Sequence, residues 1–374
     1  MSLRPETRAV HSADSDPASG AIVPPIVLST TFEYETTGLD QNPDQLIYTR
    51  WQNPNRAALE NTMAQLEDGA VAHAISSGSA AMLTVFQALR PGDHIVSSDD
   101  MYFGIRVQLN EFFAPWGLET TYVDMSDLDA VRAAMRPETE LVILESPTNP
   151  MIRLADIAAV ADIARENDAR LLVDNTVATP AAQHPIQLGA DIVVLSLTKY
   201  IAGHHDVLGG VIIFAEEDEL AERVMRLVRI GGGVLSPMNC WLAARGLQSL
   251  SYRVRAHSES ALEVACFLAE HPKIECVLYP HHPSHPQYDL ALRQMKVGSG
   301  LMSILVEGGR DAAIQLVNRL RLFTSATSFG GTHSLIEHRE SIEEGTSTPA
   351  NLLRVSIGLE HPADLIADLR QALT

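Results

Sequence analysis

Cysteine is scarce in this chain: Cys240, Cys266 and Cys276 are the only three among 374 residues. So few, and odd in number, they exclude a disulfide framework and make a reducing, cytoplasmic setting the expectation. Long apolar runs are missing too, and none approaches the ~20 residues needed to span a bilayer. The first apolar patch, Ile22 to Leu28, is broken by Pro24 and Pro25 and lacks the basic flank and cleavage site of a signal peptide. Positive charge is short as well, with 27 basic against 47 acidic residues and a net −20. That balance argues against nucleic acid and anionic membrane as partners. It also means that an anionic ligand has to be held by backbone dipoles and a few placed arginines.

What is present is an ordinary globular composition, 46% hydrophobic and 20% charged, in a chain long enough for two domains. Residues 1–55 carry no periodicity and read as an extended arm whose order comes from elsewhere. Regular pattern begins with Asn55 as an N-cap, followed by Leu59, Met63 and Leu66 at helical spacing and stopped by Gly69. Strands are expected at 72–75, 94–97, 119–123, 141–144, 170–173, 192–195 and 211–214. Amphipathic stretches such as 155–166 lie between most of them. Alternation of this kind implies βαβ crossovers and a mainly parallel sheet, an α/β domain over 56–245. Residues 246–374 change texture and read as a smaller α+β domain.

Four of these strands run into unusual polar clusters, at the carboxyl ends where such sheets carry their chemistry. They are Ser76-Ser77-Gly78-Ser79, Glu145 to Pro150, Asp174-Asn175-Thr176, and Ser196-Leu197-Thr198-Lys199. A partly desolvated lysine can lose its proton and condense with an aldehyde. A carboxylate keeps a pyridine nitrogen protonated, so that the ring accepts electrons. A Gly-Ser turn opening a helix offers N–H groups to a phosphate, and Ser196 and Thr198 add hydroxyls. Taken singly each cluster is ordinary: a solvated lysine, a turn, a helix cap. Together and in order they point to pyridoxal phosphate (PLP).

These residues, with Tyr48-Thr49-Arg50, Asn53-Pro54, Asp100-Met101-Tyr102, Ser328 to Leu335 and Leu353 to Glu360, resemble the Cys/Met-metabolism (trans-sulfuration) PLP enzymes. That family includes cystathionine γ-lyases, β-lyases and γ-synthases and methionine γ-lyases. The resemblance implies an aspartate-aminotransferase-like fold (fold type I). It implies that Lys199 carries PLP as a Schiff base, that Asp174 pairs with the ring nitrogen, and that Tyr102 stacks on the ring and moves protons. Gly78, Ser79, Ser196 and Thr198 would hold the phosphate. Tyr48 and Arg50 would reach a neighbouring subunit's phosphate, making a homodimer the active unit, within a homotetramer. Asn149, Ser334 and Arg354 would bind the substrate carboxylate.

Two departures bear on this. Ser79 stands where the family usually has Met or Leu, and His333 replaces a glutamate that helps set substrate choice. The distal pocket would be formed by Ile47, Val107 and His333, two of them apolar. Cystathionine's distal charges would go unpaired there, so the sequence favours γ-elimination on methionine or homocysteine, giving 2-oxobutyrate, ammonia and a thiol. Against this, Gly104 stands where methionine γ-lyases usually carry cysteine. A γ-synthase or β-lyase of the same family is the alternative, and a non-catalytic binding protein of this fold is the alternative from another class. The histidines of 279–286 read as an exposed loop, and no metal is expected.

Overall fold

The computed structural model describes residues 3–12, 19–34, 45–342 and 348–374. Its centre is a seven-stranded sheet of β1 (Val71–Ile75), β2 (His94–Ser98), β3 (Glu119–Val123), β4 (Thr139–Glu145), β5 (Arg170–Asp174), β6 (Ile192–Ser196) and β7 (Gly210–Phe214). The spatial order is β1-β7-β6-β5-β4-β2-β3. Pairs β6/β5, β5/β4, β4/β2 and β2/β3 are parallel, and only β7 runs against its neighbours. The expected mainly parallel sheet is therefore observed, with all seven strands where the sequence placed them.

Apolar residues run continuously through these strands because both faces are covered. On β4, Leu141 and Ile143 enter one core while Val142 and Leu144 enter another on the opposite face. On β6, Ile192 and Val194 share the first core, and Val193 and Leu195 pack into a third. The strands cannot slip by one residue without exchanging these cores.

A second sheet, β8 (Ile274–Leu278), β9 (Leu301–Val306), β10 (Thr324–Ser325), β11 (Leu335–His338) and β12 (Leu352–Ser356), has the order β10-β11-β12-β9-β8. Helices Leu250–Ala269, Gly309–Arg319 and Pro362–Ala372 bury its apolar face in a separate core. Tyr200 ties the two parts together: it packs in the core of the large sheet and its hydroxyl accepts the Gly300 N–H at 2.9 Å.

Several local expectations need correction. The first long helix, Pro54–Glu67, is capped by Asn53, whose side chain accepts the Asn55 N–H. Proline at the first helical position has no N–H to orphan, so it belongs there and the cap moves back to Asn53. The stop is Asp68, left-handed at φ 61°, one residue before Gly69. The segment read as an extended arm contains a short helix, Pro5–Val10, with Ala9 buried in the large core. Six residues are too few to show a helical period. The 279–286 stretch is not a freely exposed loop: Tyr279 and His285 are buried, and His285 Nε2 meets the Ile152 carbonyl at 3.0 Å.

Candidate active site

β1 is parallel to β6, so β1, β4, β5 and β6 all deliver their carboxyl ends to one edge of the sheet. There a cavity of about 530 Å³ is lined by residues of all four clusters, including Gly78, Tyr102, Glu145, Asp174, Ser196 and Lys199. Ser77 caps the helix Gly78–Ala88, its hydroxyl accepting the Ala80 N–H at 3.0 Å. The first N–H groups of a helix have no partner within it, and here the residues that carry them line the cavity. Gly78 has to be glycine, since a Cβ would stand 2.9 Å from the Ser196 Cβ. Gly210 likewise leaves room for the Ser77 carbonyl, which would be 2.3 Å from a Cβ there.

Lys199 lies in the turn after β6 and donates through Nζ to the Ser328 hydroxyl at 2.8 Å. Burial first, and then the Arg354 charge, lower its amine to about 8. A substantial neutral fraction therefore exists near physiological pH. Asp174 ends β5 beside Glu145, which ends β4 in register with it. Its Oδ1 accepts the Thr176 N–H at 2.9 Å. Burial raises the Asp174 carboxyl, with the Thr176 hydrogen bonds and Lys199 opposing. Glu145 goes well above the usual range, from burial first and Asp174 second. Glu145 also accepts the Tyr102 N–H at 2.8 Å.

Arg354, on β12, is buried and donates through Nη1 to Asn149 Oδ1 at 3.2 Å and through Nη2 to the Ser328 carbonyl at 2.9 Å. Its Nη2 also meets Glu337 Oε2 at 2.6 Å, and Arg339 meets the same carboxylate oxygen at 2.7 Å. Burial first, and then Arg339, lower its guanidinium to about 10, still cationic at neutral pH. Ser328 is left-handed at φ 81°, a strained state that sets its hydroxyl on Lys199 and its carbonyl on Arg354.

The structure thus brings together Lys199, Tyr102, Asp174, Gly78, Ser79, Ser196, Thr198, Asn149 and Arg354 around one cavity. Ser334 stands apart from them. It is fully buried, its hydroxyl donates to Glu360 at 2.7 Å and accepts the Gly358 N–H, and it does not line the cavity. Ile47, Val107 and His333 are outside the lining as well. His333 is exposed, with its ring 6.2 Å from that of His205. Tyr48 and Arg50 also lie away from the cavity; Tyr48 is 41% exposed, and Arg50 covers its ring and donates to the Arg229 carbonyl. Sequence reasoning missed Glu337, Arg339 and the contact by which Glu145 holds the Tyr102 backbone. The only signal for the first two was their place seventeen and fifteen residues before Arg354, which has no meaning until β11 and β12 pair.

The residues present suit PLP on their own chemistry. One wall offers a desolvated amine, and another a buried carboxylate that suits a protonated ring nitrogen. A helix start with the Ser196 and Thr198 hydroxyls offers donors to a phosphate.

Comparison with known proteins agrees. The family model for Cys/Met metabolism PLP-dependent enzymes matches residues 6–374. The cystathionine gamma-synthase of Mycobacterium tuberculosis is 44% identical over 377 residues, covering 99% of this chain and 96% of that protein. The cystathionine gamma-lyase of Dictyostelium discoideum is 40% identical, covering 98% and 97%. The crystal structure of cystathionine gamma-lyase from Lactobacillus plantarum complexed with L-serine superposes with a TM-score of 0.94 at 35% identity, covering 99% and 98%. The chain belongs to the Cys/Met metabolism family of PLP-dependent enzymes, with the fold of its cystathionine-processing members.

Proposed function

We propose that this enzyme catalyses γ-elimination on a sulfur amino acid, releasing 2-oxobutyrate, ammonia and a thiol, and prefers methionine or homocysteine to cystathionine. The observation that carries this reading is the use made of charge in the cavity. Its charged lining residues are Lys199, Asp174, Glu145, Arg339 and Arg354, and each is engaged at the cofactor or carboxylate end. Much of the remaining wall is apolar, with Met82, Phe103, Ile105, Leu208 and Ile342. Among the described residues the lining holds no further charge for a distal ammonium and carboxylate. A methylthio group asks for none.

Bound PLP supplies an electron sink for the negative charge that develops when Cα loses its proton. The chain's own residues do the rest. Lys199 takes that proton and then moves one at Cβ, with Ser328 fixing its position. Arg354 and Asn149 hold the substrate carboxylate, and Asp174 offers its charge to the ring nitrogen. Glu145 aims Tyr102 by its backbone, and the Tyr102 hydroxyl hands a proton to the departing sulfur. Tyr48 and Arg50, placed away from this chain's own cavity, complete the phosphate site of a second subunit, so that the working unit is a homodimer within a homotetramer.

A second reading, γ-replacement, is favoured by the 44% identity to a protein named cystathionine gamma-synthase. The two reactions share every residue above and differ in whether a thiol adds at Cγ. One preparation should be offered methionine, homocysteine and cystathionine, scored by 2-oxobutyrate, and an O-acylated homoserine with cysteine, scored by cystathionine formed. A strong preference for cystathionine cleavage removes the distal-group reading. Dominant cystathionine formation makes the enzyme a synthase, and pyruvate from cystathionine makes it a β-lyase.

A further inference from the structure

Behind the cavity wall lies a buried chain of side-chain amides that the chemistry above does not use. Its direction can be read from groups that have only one option. The Ile157 N–H can only donate, and it does so to Gln294 Oε1 at 3.0 Å. The Gln294 amide nitrogen must then donate onward, and it reaches Gln183 Oε1 at 3.0 Å and the Ala155 carbonyl at 3.1 Å. Gln183 Nε2 donates to the Ser146 carbonyl at 2.9 Å and to Asn175 Oδ1 at 3.1 Å. Asn175 Nδ2 donates to the Gln183 carbonyl at 3.1 Å and ends on Glu67 Oε1 at 2.8 Å. Every link points the same way, so the last residue has to be an acceptor.

Glu67 is that residue. It closes the helix Pro54–Glu67 and is fully buried, and its Oε2 has no hydrogen-bond partner among the described residues. No cation stands among the groups that act on it; the one charge that does is Asp68. Burial pushes its carboxyl up to about 8, so it is mainly neutral at pH 7. The chain passes through two loops of the active site: Ser146 follows Glu145, and Asn175 follows Asp174. The Asn175 backbone is pinned too, its N–H to the Val194 carbonyl at 3.0 Å and its carbonyl to the Thr179 N–H at 2.7 Å.

We propose that Glu67 is a positioning residue for the cofactor site, acting as the terminal hydrogen-bond acceptor of a one-way amide chain that fixes Asp174 through Asn175. A neutral acceptor suffices for this; a negative charge is not what the chain needs. The proposal rests on the reading that Asp174 serves the PLP ring nitrogen, and the experiment separates the two.

Apoprotein should be prepared from wild type and from Glu67→Gln, Glu67→Leu, Gln183→Met and Asp174→Asn variants. Three quantities are read: the PLP dissociation constant, the visible absorption maximum on reconstitution, and the melting temperature of the apoprotein. Asp174→Asn should shift the absorption maximum and weaken PLP binding; if it does neither, the Asp174 reading fails and takes this proposal with it. Glu67→Gln keeps an acceptor oxygen and should leave affinity and spectrum within about threefold and a few nanometres of wild type. Glu67→Leu takes away one of the two acceptors of the Asn175 amide and should weaken PLP binding about tenfold, the order expected for an unpartnered buried N–H, with a shifted band. Gln183→Met cuts the chain one link earlier and should shift the band in the same direction, which keeps the test alive if Glu67→Leu does not fold. The proposal is overturned if Glu67→Gln is as damaging as Glu67→Leu. It is equally overturned if Glu67→Leu and Gln183→Met lower only the melting temperature and leave affinity and spectrum unchanged.

Discussion

Glu337 on β11 stands opposite Arg354 on β12 in the antiparallel register, and their side chains meet at 2.6 Å with exposures of 2% and 4%. The arginine proposed for the substrate carboxylate is therefore held before any substrate arrives. Arg339 shares the same carboxylate oxygen, so Glu337 offsets two buried cations. Replacing it with leucine removes the anion that Arg354 meets, and loss of one partner of a buried pair costs about 3–5 kcal/mol. The Glu337→Leu variant should melt well below wild type. Arg354→Lys, which keeps the charge and loses the planar fork, should mainly raise KM. An unchanged melting temperature in the first variant would show that the pair contributes no stability.

Lys199 carries the central assignment. Purified protein should be yellow, and Lys199→Ala should lose both the colour and lyase turnover. An absorption spectrum unaffected by that change removes the assignment.

The same lysine gives the apoprotein a pH signature. Its amine sits at about 8 when folded, against 10.5 when free. Between those values the unfolded chain holds a proton that the folded chain has released. Apoprotein stability therefore gains from this group as pH rises from about 8 to 10.5, and the folded site bears the full penalty below 8. Denaturant titrations across that window should show a positive slope that Lys199→Met lacks. An identical slope in the variant would assign the effect to other groups.

Much of this could be read from the sequence, for reasons visible in particular residues. Val142 and Leu144 enter one core and Leu141 and Ile143 another, and a strand buried on both sides reads as an unbroken apolar run. The polar clusters were legible because they interrupt such runs at strand ends. Ser334 belongs to a motif adjacent in sequence to the site, while its hydroxyl turns to Glu360 and away from the cavity, a direction that sequence does not carry. Glu337 and Arg339 were invisible because their meaning depends on strand register, which sequence spacing does not carry. Ile47, Val107 and His333 lie off the wall of this chain's own cavity, so under the proposed dimer any bearing on substrate choice would pass through a second subunit.

That dependence has a direct test. Arg50→Ala should weaken PLP retention, since a charge-assisted phosphate contact is lost. Mixing Arg50→Ala subunits with Lys199→Ala subunits should recover activity, because mixed dimers contain one intact site. Absence of recovery, with subunit exchange demonstrated, counts against a shared site.

Substrate choice is the sharpest prediction. Wild-type kcat/KM should be higher for methionine or homocysteine than for cystathionine. His333→Glu, alone or with a polar residue at Ile47, should move the ratio toward cystathionine, by roughly tenfold for each ~1.4 kcal/mol gained. A wild-type enzyme that strongly prefers cystathionine would mean that these three positions do not form the distal pocket.

The hydrogen bond from Lys199 to Ser328 also has a history in the making of the protein. The two residues are 129 positions apart, and all the cavity residues from Ser77 to Lys199 leave the ribosome before Ser328 and Arg354 exist. At the ~5–20 residues per second of synthesis, the gap lasts on the order of ten seconds. During that time the chain has its lysine but neither the Ser328 hydroxyl that positions the amine nor the Arg354 charge that lowers it. A chain truncated before Ser328 would keep the lysine and lose both groups that set it.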